Sequence, residues 1–261
     1  SAAPAAAQSG DPALLRQKQE ASLGRSVYQA ACAGCHGLKG DGNGPGALQF
    51  AQRPTDCTHG VYKLRSTLGQ IPAPGDLERT IRLGMAGTEM VPFGHILSER
   101  SIQAVAEYIK SFSADLSGPE AVPEAEDLVK IPAERPFPRS EQTVAQGRQL
   151  YESLDCADCH GDDGKGDRDQ TDDWEFPVAM VSFQAGHYKS GSRDSDLFRS
   201  IATGMQGTTM EAYKDEAGEE ELWKLVDYIR SLSDAERRGF LLKTFDFFIR
   251  SQPRGFDYSN Y

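Results

Sequence analysis

The chain has 261 residues and a mass of 28.5 kDa, room for one large domain or two of ordinary size, and its 38% hydrophobic and 9% aromatic content excludes disorder throughout. A net charge of −11 and a pI near 5.0 exclude phosphate-backbone binding as the main activity, because that needs a basic surface, so no nucleic-acid partner is expected. No run approaches the roughly 18 apolar residues of a membrane span, since the greasiest stretch, Phe240 to Ile249, is broken by Lys243, Thr244 and Asp246.

Residues 1–21 read as a mobile N-terminal segment, whose Ala- and Pro-rich start (1–12) resembles a mature terminus left after signal removal. A first unit, 22–113, opens with a helix carrying Gly24-Arg25-x-x-Tyr28 and leads into Cys32-Ala-Gly-Cys35-His36. A glycine-rich wrap follows, with Gly37, Gly40, Gly42, Gly44 and Gly46, then Gly60-Val61-Tyr62-Lys63. Next come a short helix and a methionine loop, Asp76-Leu77-x-x-x-Ile81-x-x-Gly84-Met85-x-Gly87-Thr88-x-Met90. The unit closes with Ile102, Val105, Ala106, Ile109 and Phe112, the 0, 3, 4, 7, 10 spacing of one amphipathic helix face.

Residues 114–139 hold Pro119, Pro123, Pro132, Pro136 and Pro138 among acids, which predicts an extended, helix-free strap lying on the surface. A second unit, 140–232, then repeats the first. Gly147-Arg148-x-x-Tyr151 precedes Cys156-Ala-Asp-Cys159-His160, and Gly186-His187-Tyr188-Lys189 follows it. Asp196-Leu197-x-x-x-Ile201-x-x-Gly204-Met205-x-Gly207-Thr208-x-Met210 matches its counterpart at a constant offset of 120, as do Leu222, Leu225, Val226, Ile229 and Leu232. Residues 233–261 form a C-terminal extension with a helix start at Ser233-x-x-Glu236 and an apolar stripe of Leu241, Leu242, Phe245, Phe248 and Ile249. That extension either packs on its own unit or anchors the chain to a complex or a second copy.

Four of the five cysteines lie in two C-x-x-C-H motifs, the spacing of covalent c-type haem attachment. Cys32 and Cys35, and likewise Cys156 and Cys159, each supply a thioether to a haem vinyl carbon, and the adjacent histidine reaches the iron. A zinc site made from all four thiolates would join pairs 124 residues apart and gives no reason for either histidine. A redox dithiol would need a βαβ setting that the pattern lacks. Two haem c are therefore the expected cofactors. About 90 residues with so much loop bury little core alone, so the haem is expected to complete each one.

These residues resemble the class I c-type cytochromes, specifically the di-haem proteins built from two such domains in tandem. The resemblance implies an all-α fold: two cytochrome c domains joined by the Pro-rich strap, with a helical C-terminal extension. It implies His36 and His160 as proximal iron ligands, with a methionine sulfur opposite each. The family's Thr-x-Met-Pro-like context points to Met90, which precedes Val91-Pro92, and to Met210, although Glu211 replaces the proline there. Met85 and Met205 are the alternatives and otherwise pack against the ring. The resemblance also implies that the Pro45 carbonyl accepts the free N–H of His36, and that Arg53, Tyr62, Lys63, Tyr188 and Lys189 are candidates to hold haem propionates.

Cys57 is the odd cysteine. It reads as a small buried hydrophobe, with an axial thiolate of the di-haem thiosulfate dehydrogenase kind as the alternative. His59, His95 and His187 read as surface or propionate-edge residues. The charge is concentrated in one unit: nine basic against seven acidic residues give the first +2, and nine against twenty give the second −11. That asymmetry suggests redox protein partners, with a basic one docking on the second unit. The expected function is an exported, periplasmic electron carrier, not an enzyme, moving single electrons through two His/Met-ligated haems. The rivals are a di-haem peroxidase or thiosulfate dehydrogenase, and a dedicated haem subunit of a larger redox complex.

Overall fold

The computed structural model describes residues 11–118 and 121–233. The expectations for residues 1–10 and for the extension beyond Ser233 lie outside the described residues. Within them the chain is helical apart from one small hairpin.

Helix α1 spans Pro12–Val27, so residues 12–21 are helical where a mobile segment was expected. The cause is local: the Asp11 side chain accepts the Ala13 N–H at 2.9 Å, and proline fills the first turn, where its missing N–H costs nothing. Good helix formers follow up to Ala21, although residues 12–19 are exposed. The chain then passes through a wider, π-helical turn, Tyr28–Cys32, into α2, Ala33–His36. Helix α3 (Asp76–Leu83) and helix α4 (Glu99–Lys110, capped by Ser98) complete the first unit.

The second unit repeats this order with α5 (Glu141–Ser153), α6 (Cys156–His160), α7 (Asp194–Thr203) and α8 (Glu219–Ser231). Its addition is an antiparallel hairpin, β1 (Gln170–Thr171) with β2 (Pro177–Val178). In each unit the opening helix packs on the closing one, α1 on α4 and α5 on α8. Glycine makes both crossings close: a Cβ at Gly24 would overlap the Ala104 carbonyl, and one at Gly147 the Lys224 carbonyl. Ile102, Val105, Leu222, Leu225 and Val226 are buried at these crossings, each contributing about 1.5–3 kcal/mol by leaving water.

The strap is held at both ends. Its prolines cannot donate ladder hydrogen bonds, yet Leu128 forms an antiparallel bridge with Thr67, where the Leu68 N–H donates to Asp127 O (2.9 Å) and the Val129 N–H to Ser66 O (3.0 Å). Val129 is itself buried in the second core, so the strap is partly interior and not only a surface connector. Further on, Arg135 pairs with Asp227 of α8, a carboxylate with no exposed surface that also accepts the Thr143 hydroxyl.

The two units also meet directly, through residues at equivalent places in the repeat. Arg79 of α3 pairs with Asp196 of α7 and donates to Ser190 O (2.7 Å), while Arg199 donates to Ser66 Oγ (3.1 Å). The Thr203 hydroxyl donates to Arg65 O at 3.1 Å. The hairpin of the second unit reaches across as well: Phe176 lies under the Arg53 guanidinium at 4.5 Å, and Trp174 lies 5.0 Å from the His59 ring.

Candidate haem clefts

Each unit opens into one cleft, of about 1280 Å³ in the first and about 1100 Å³ in the second. Cys32, Cys35, His36, Met85 and Met90 line the first cleft, and Cys156, Cys159, His160, Met205 and Met210 the second. All five cysteines are unpaired thiols, and burial pushes those of Cys32 and Cys156 up to about 11.

The histidine turn is built identically twice. The Tyr28 hydroxyl donates to Gly37 O (2.8 Å) and the Tyr151 hydroxyl to Gly161 O (2.7 Å), which explains why a tyrosine precedes each motif. Gly37 (φ 79°) and Gly161 (φ 78°) take the left-handed turn that ends the motif helix. The wrap then returns, with the Gly42 N–H on His36 O (2.9 Å) and the Gly166 N–H on His160 O (3.0 Å). Burial lowers the pKa of both imidazoles, that of His160 to about 4, so both are neutral and available to a metal at neutral pH.

The methionine loops are also the same. The Met85 N–H donates to Met90 O (2.9 Å), and the Thr88 hydroxyl donates to Met85 O (2.7 Å) while accepting the Met90 N–H (3.2 Å). Met205, Thr208 and Met210 repeat these bonds at 2.9, 2.7 and 3.2 Å, so Glu211 in place of proline leaves the loop unchanged. Both methionines of each pair face the cleft.

The surroundings of the two histidines differ. His36 Nδ1 donates to the Thr55 carbonyl at 3.0 Å, so the acceptor is Thr55 and not Pro45. The reason is the wrap: the Gly44 and Gly46 N–H groups bond back to Cys35 O and Gly34 O, which keeps Pro45 off the cleft wall. The Cys57 thiol points at the same Thr55 oxygen (3.7 Å), on the His36 side of the cleft, and burial pushes its pKa up to about 12. In the second unit Phe183 takes the place of Cys57, as their N–H bonds to Gly164 O (2.8 Å) and Gly40 O (2.7 Å) show. Phe183 stacks on His160 with ring centres 4.5 Å apart, and His160 Nδ1 faces the Val181 carbonyl without closing a hydrogen bond. Aligning Gly60-x-Tyr62-Lys63 with Gly186-x-Tyr188-Lys189 pairs Cys57 with Phe183, the signal by which sequence reasoning would have found this contrast.

Of the remaining candidates, Arg53, Tyr62 and Lys63 line the first cleft and Tyr188 and Lys189 the second. The buried Tyr62 hydroxyl faces the Cys57 thiol, and the buried Tyr188 hydroxyl faces Ser233 and Arg230. Arg53 is partly occupied, donating to Asp41 O at 2.9 Å. His59, His95 and His187 are exposed and line neither cleft.

Two haem c fit this donor set: paired free thiols beside a neutral imidazole on one wall and a thioether loop on the other. Residues 21–113 match the family described as cytochrome c, and residues 142–229 match cytochrome c oxidase, cbb3-type, subunit III. A solved chain of the Kuenenia stuttgartiensis reducing HAO-like protein complex Kustc0457/Kustc0458 is 33% identical, with a TM-score of 0.73 over 81% of this chain and 96% of that one. The chain belongs to the di-haem c-type cytochromes. Curated relatives of this di-haem cytochrome include the cbb3-type cytochrome c oxidase subunit FixP of Sinorhizobium medicae, 24% identical over 84% of the chain and 63% of that protein. Subunit CcoP of Helicobacter pylori is 23% identical over 58% of the chain and 41% of that protein. The di-haem cytochrome thus spans less than two thirds of the length of these relatives.

Proposed function

We propose that the chain is an electron carrier that accepts single electrons at one haem and passes them through the other to a redox partner, outside the cytoplasm. Covalently held haem supplies a one-electron ferric/ferrous couple. Cys32, Cys35, Cys156 and Cys159 would tether the two groups, His36 and His160 would supply the nitrogen ligands, and Met90 and Met210 the sulfur ligands. Met85 and Met205 pack against the rings. The observation that carries this reading is the twofold repetition of a histidine turn facing a threonine-braced methionine loop across one cleft. One imidazole and one thioether for each iron would supply reversible one-electron transfer and would leave oxygen or peroxide no place to bind, so that no substrate would be chemically changed.

The Cys57 thiol points at the Thr55 carbonyl that His36 also uses, on the side of the cleft away from the methionine loop, which favours methionine over Cys57 as the sulfur ligand. No helix among the described residues is long and apolar enough to cross a membrane. The exposed acids of the second unit, among them Asp162, Asp163, Asp169, Asp173 and Glu175, offer a docking face to a basic redox protein. A second reading, a haem subunit of a larger complex, is favoured by the match of residues 142–229 to an oxidase subunit family. The deciding experiment is the visible spectrum of the oxidised and reduced protein with and without carbon monoxide. Two low-spin haems with the ferric iron–thioether band and no response to carbon monoxide are expected; a haem that binds the gas would move the reading to an enzyme.

A further inference from the structure

One side chain belongs to both clefts. Lys63, half-buried where the units meet, lines the first cleft and the second alike, whereas Lys189, its counterpart in the repeat, lines only the second. Lys189 is buried, and its ammonium donates to Ala179 O at 2.8 Å. The same carbonyl accepts the Gln52 side chain of the first unit at 3.2 Å, so the two units are stitched together beside the lysines.

Two like charges in a poorly solvated seam repel each other. Burial and then the charge of Lys63 lower the Lys189 pKa to about 8, and burial lowers that of Lys63 against the opposing field of Asp172 on the hairpin. Lys63 has no hydrogen bond or ion pair of its own among the described residues. A cation pair placed like this calls for anions, and each haem carries two propionate carboxylates. Tyr62 and Tyr188, each next to one of these lysines in sequence, line the same clefts.

Resting on the reading that both clefts hold haem, we propose that Lys63 is a positioning residue shared by the two haems, pairing with propionates from both and coupling their redox equilibria. A cation there favours the ferrous state of each iron, because reduction removes one positive charge from either side of it.

The test is a potentiometric titration of the full-length holoprotein, followed in its visible spectrum. In Lys63→Met both one-electron steps are expected to fall, each by about tenfold in its equilibrium constant, or ~59 mV. In Lys189→Met one step falls more than the other. Lys63→Arg, which keeps the charge, restores both steps, and Lys63→Gln carries the Met expectation should Met prevent haem loading. A Lys63→Met protein in which one step moves alone, or neither does, overturns the proposal, as does an arginine variant shifted as far as the methionine one. Failure of the underlying reading shows separately, as a haem count other than two in the unmodified protein.

Discussion

The two histidine environments differ more than the two scaffolds that hold them. In the first unit a backbone carbonyl fixes His36 through a 3.0 Å hydrogen bond, with the Cys57 thiol at the same oxygen; in the second, the equivalent Val181 carbonyl faces His160 more loosely and Phe183 stacks on the ring. A hydrogen bond from the far side of a ligating imidazole raises its basicity and stabilises ferric iron. The repeat therefore preserves the means of holding a haem and varies the means of tuning it. A carrier with two unequal sites gains a direction for its electrons, which two equal sites do not give.

The same contrast extends to stability. Asp227 of α8 and Glu107 of α4 sit at equivalent positions, 120 residues apart, yet Asp227 is fully buried against Arg135 of the strap while Glu107 is 69% exposed beside Lys110. Asp227→Ala removes the buried carboxylate that holds both Arg135 and the Thr143 hydroxyl, leaving the half-buried Arg135 only its 3.3 Å pair with Asp194, and is expected to cost about 2–3 kcal/mol in the second unit. Glu107→Ala is expected to cost less than about 1 kcal/mol. Urea denaturation of both variants checks the pair, and equal losses would mean that the strap does not clamp one unit alone.

Kinetics separate the units next. With +2 on one and −11 on the other, reduction of the second haem by a basic donor protein is expected to slow by about tenfold between low and physiological salt, with the first haem much less affected. Stopped-flow traces resolved for the two haems would show it, and a common salt dependence would remove the acidic docking face. The smallest effect concerns Cys57. Cys57→Ala leaves the Thr55 carbonyl wholly to His36 and is expected to lower the first haem's reduction equilibrium a few-fold, with the second unchanged and the spectrum retained. A changed ligand-field spectrum would instead make Cys57 an iron ligand.

What was legible in the sequence is what side chains encode. The offset of 120 foretold the paired methionine loops and the buried faces of α4 and α8, and the two C-x-x-C-H motifs foretold where the clefts open. The acceptor for His36 escaped because it is a main-chain carbonyl, which leaves no residue signature, and Pro45 was the residue with a family precedent. The helix over 12–21 escaped because its apolar content is low and only the Asp11-Pro12 start announces it. Asp227 gave no warning either, since its partner Arg135 is 92 residues away and lies in a segment that reads as plain linker.

The pairing of Arg79 with Asp196, and of Arg199 with Ser66, has a further consequence. Arg79 and Arg199 are equivalent in the repeat, and Ser66 donates to Asp76, the counterpart of Asp196, so the seam approximates that of a self-complementary dimer, drawn here within a single chain. A handful of hydrogen bonds would hold two free bodies together only at high concentration. The strap, pinned at Leu128 and Arg135, replaces that requirement with an effective concentration on the order of millimolar, so the two halves stay in register however dilute the protein becomes.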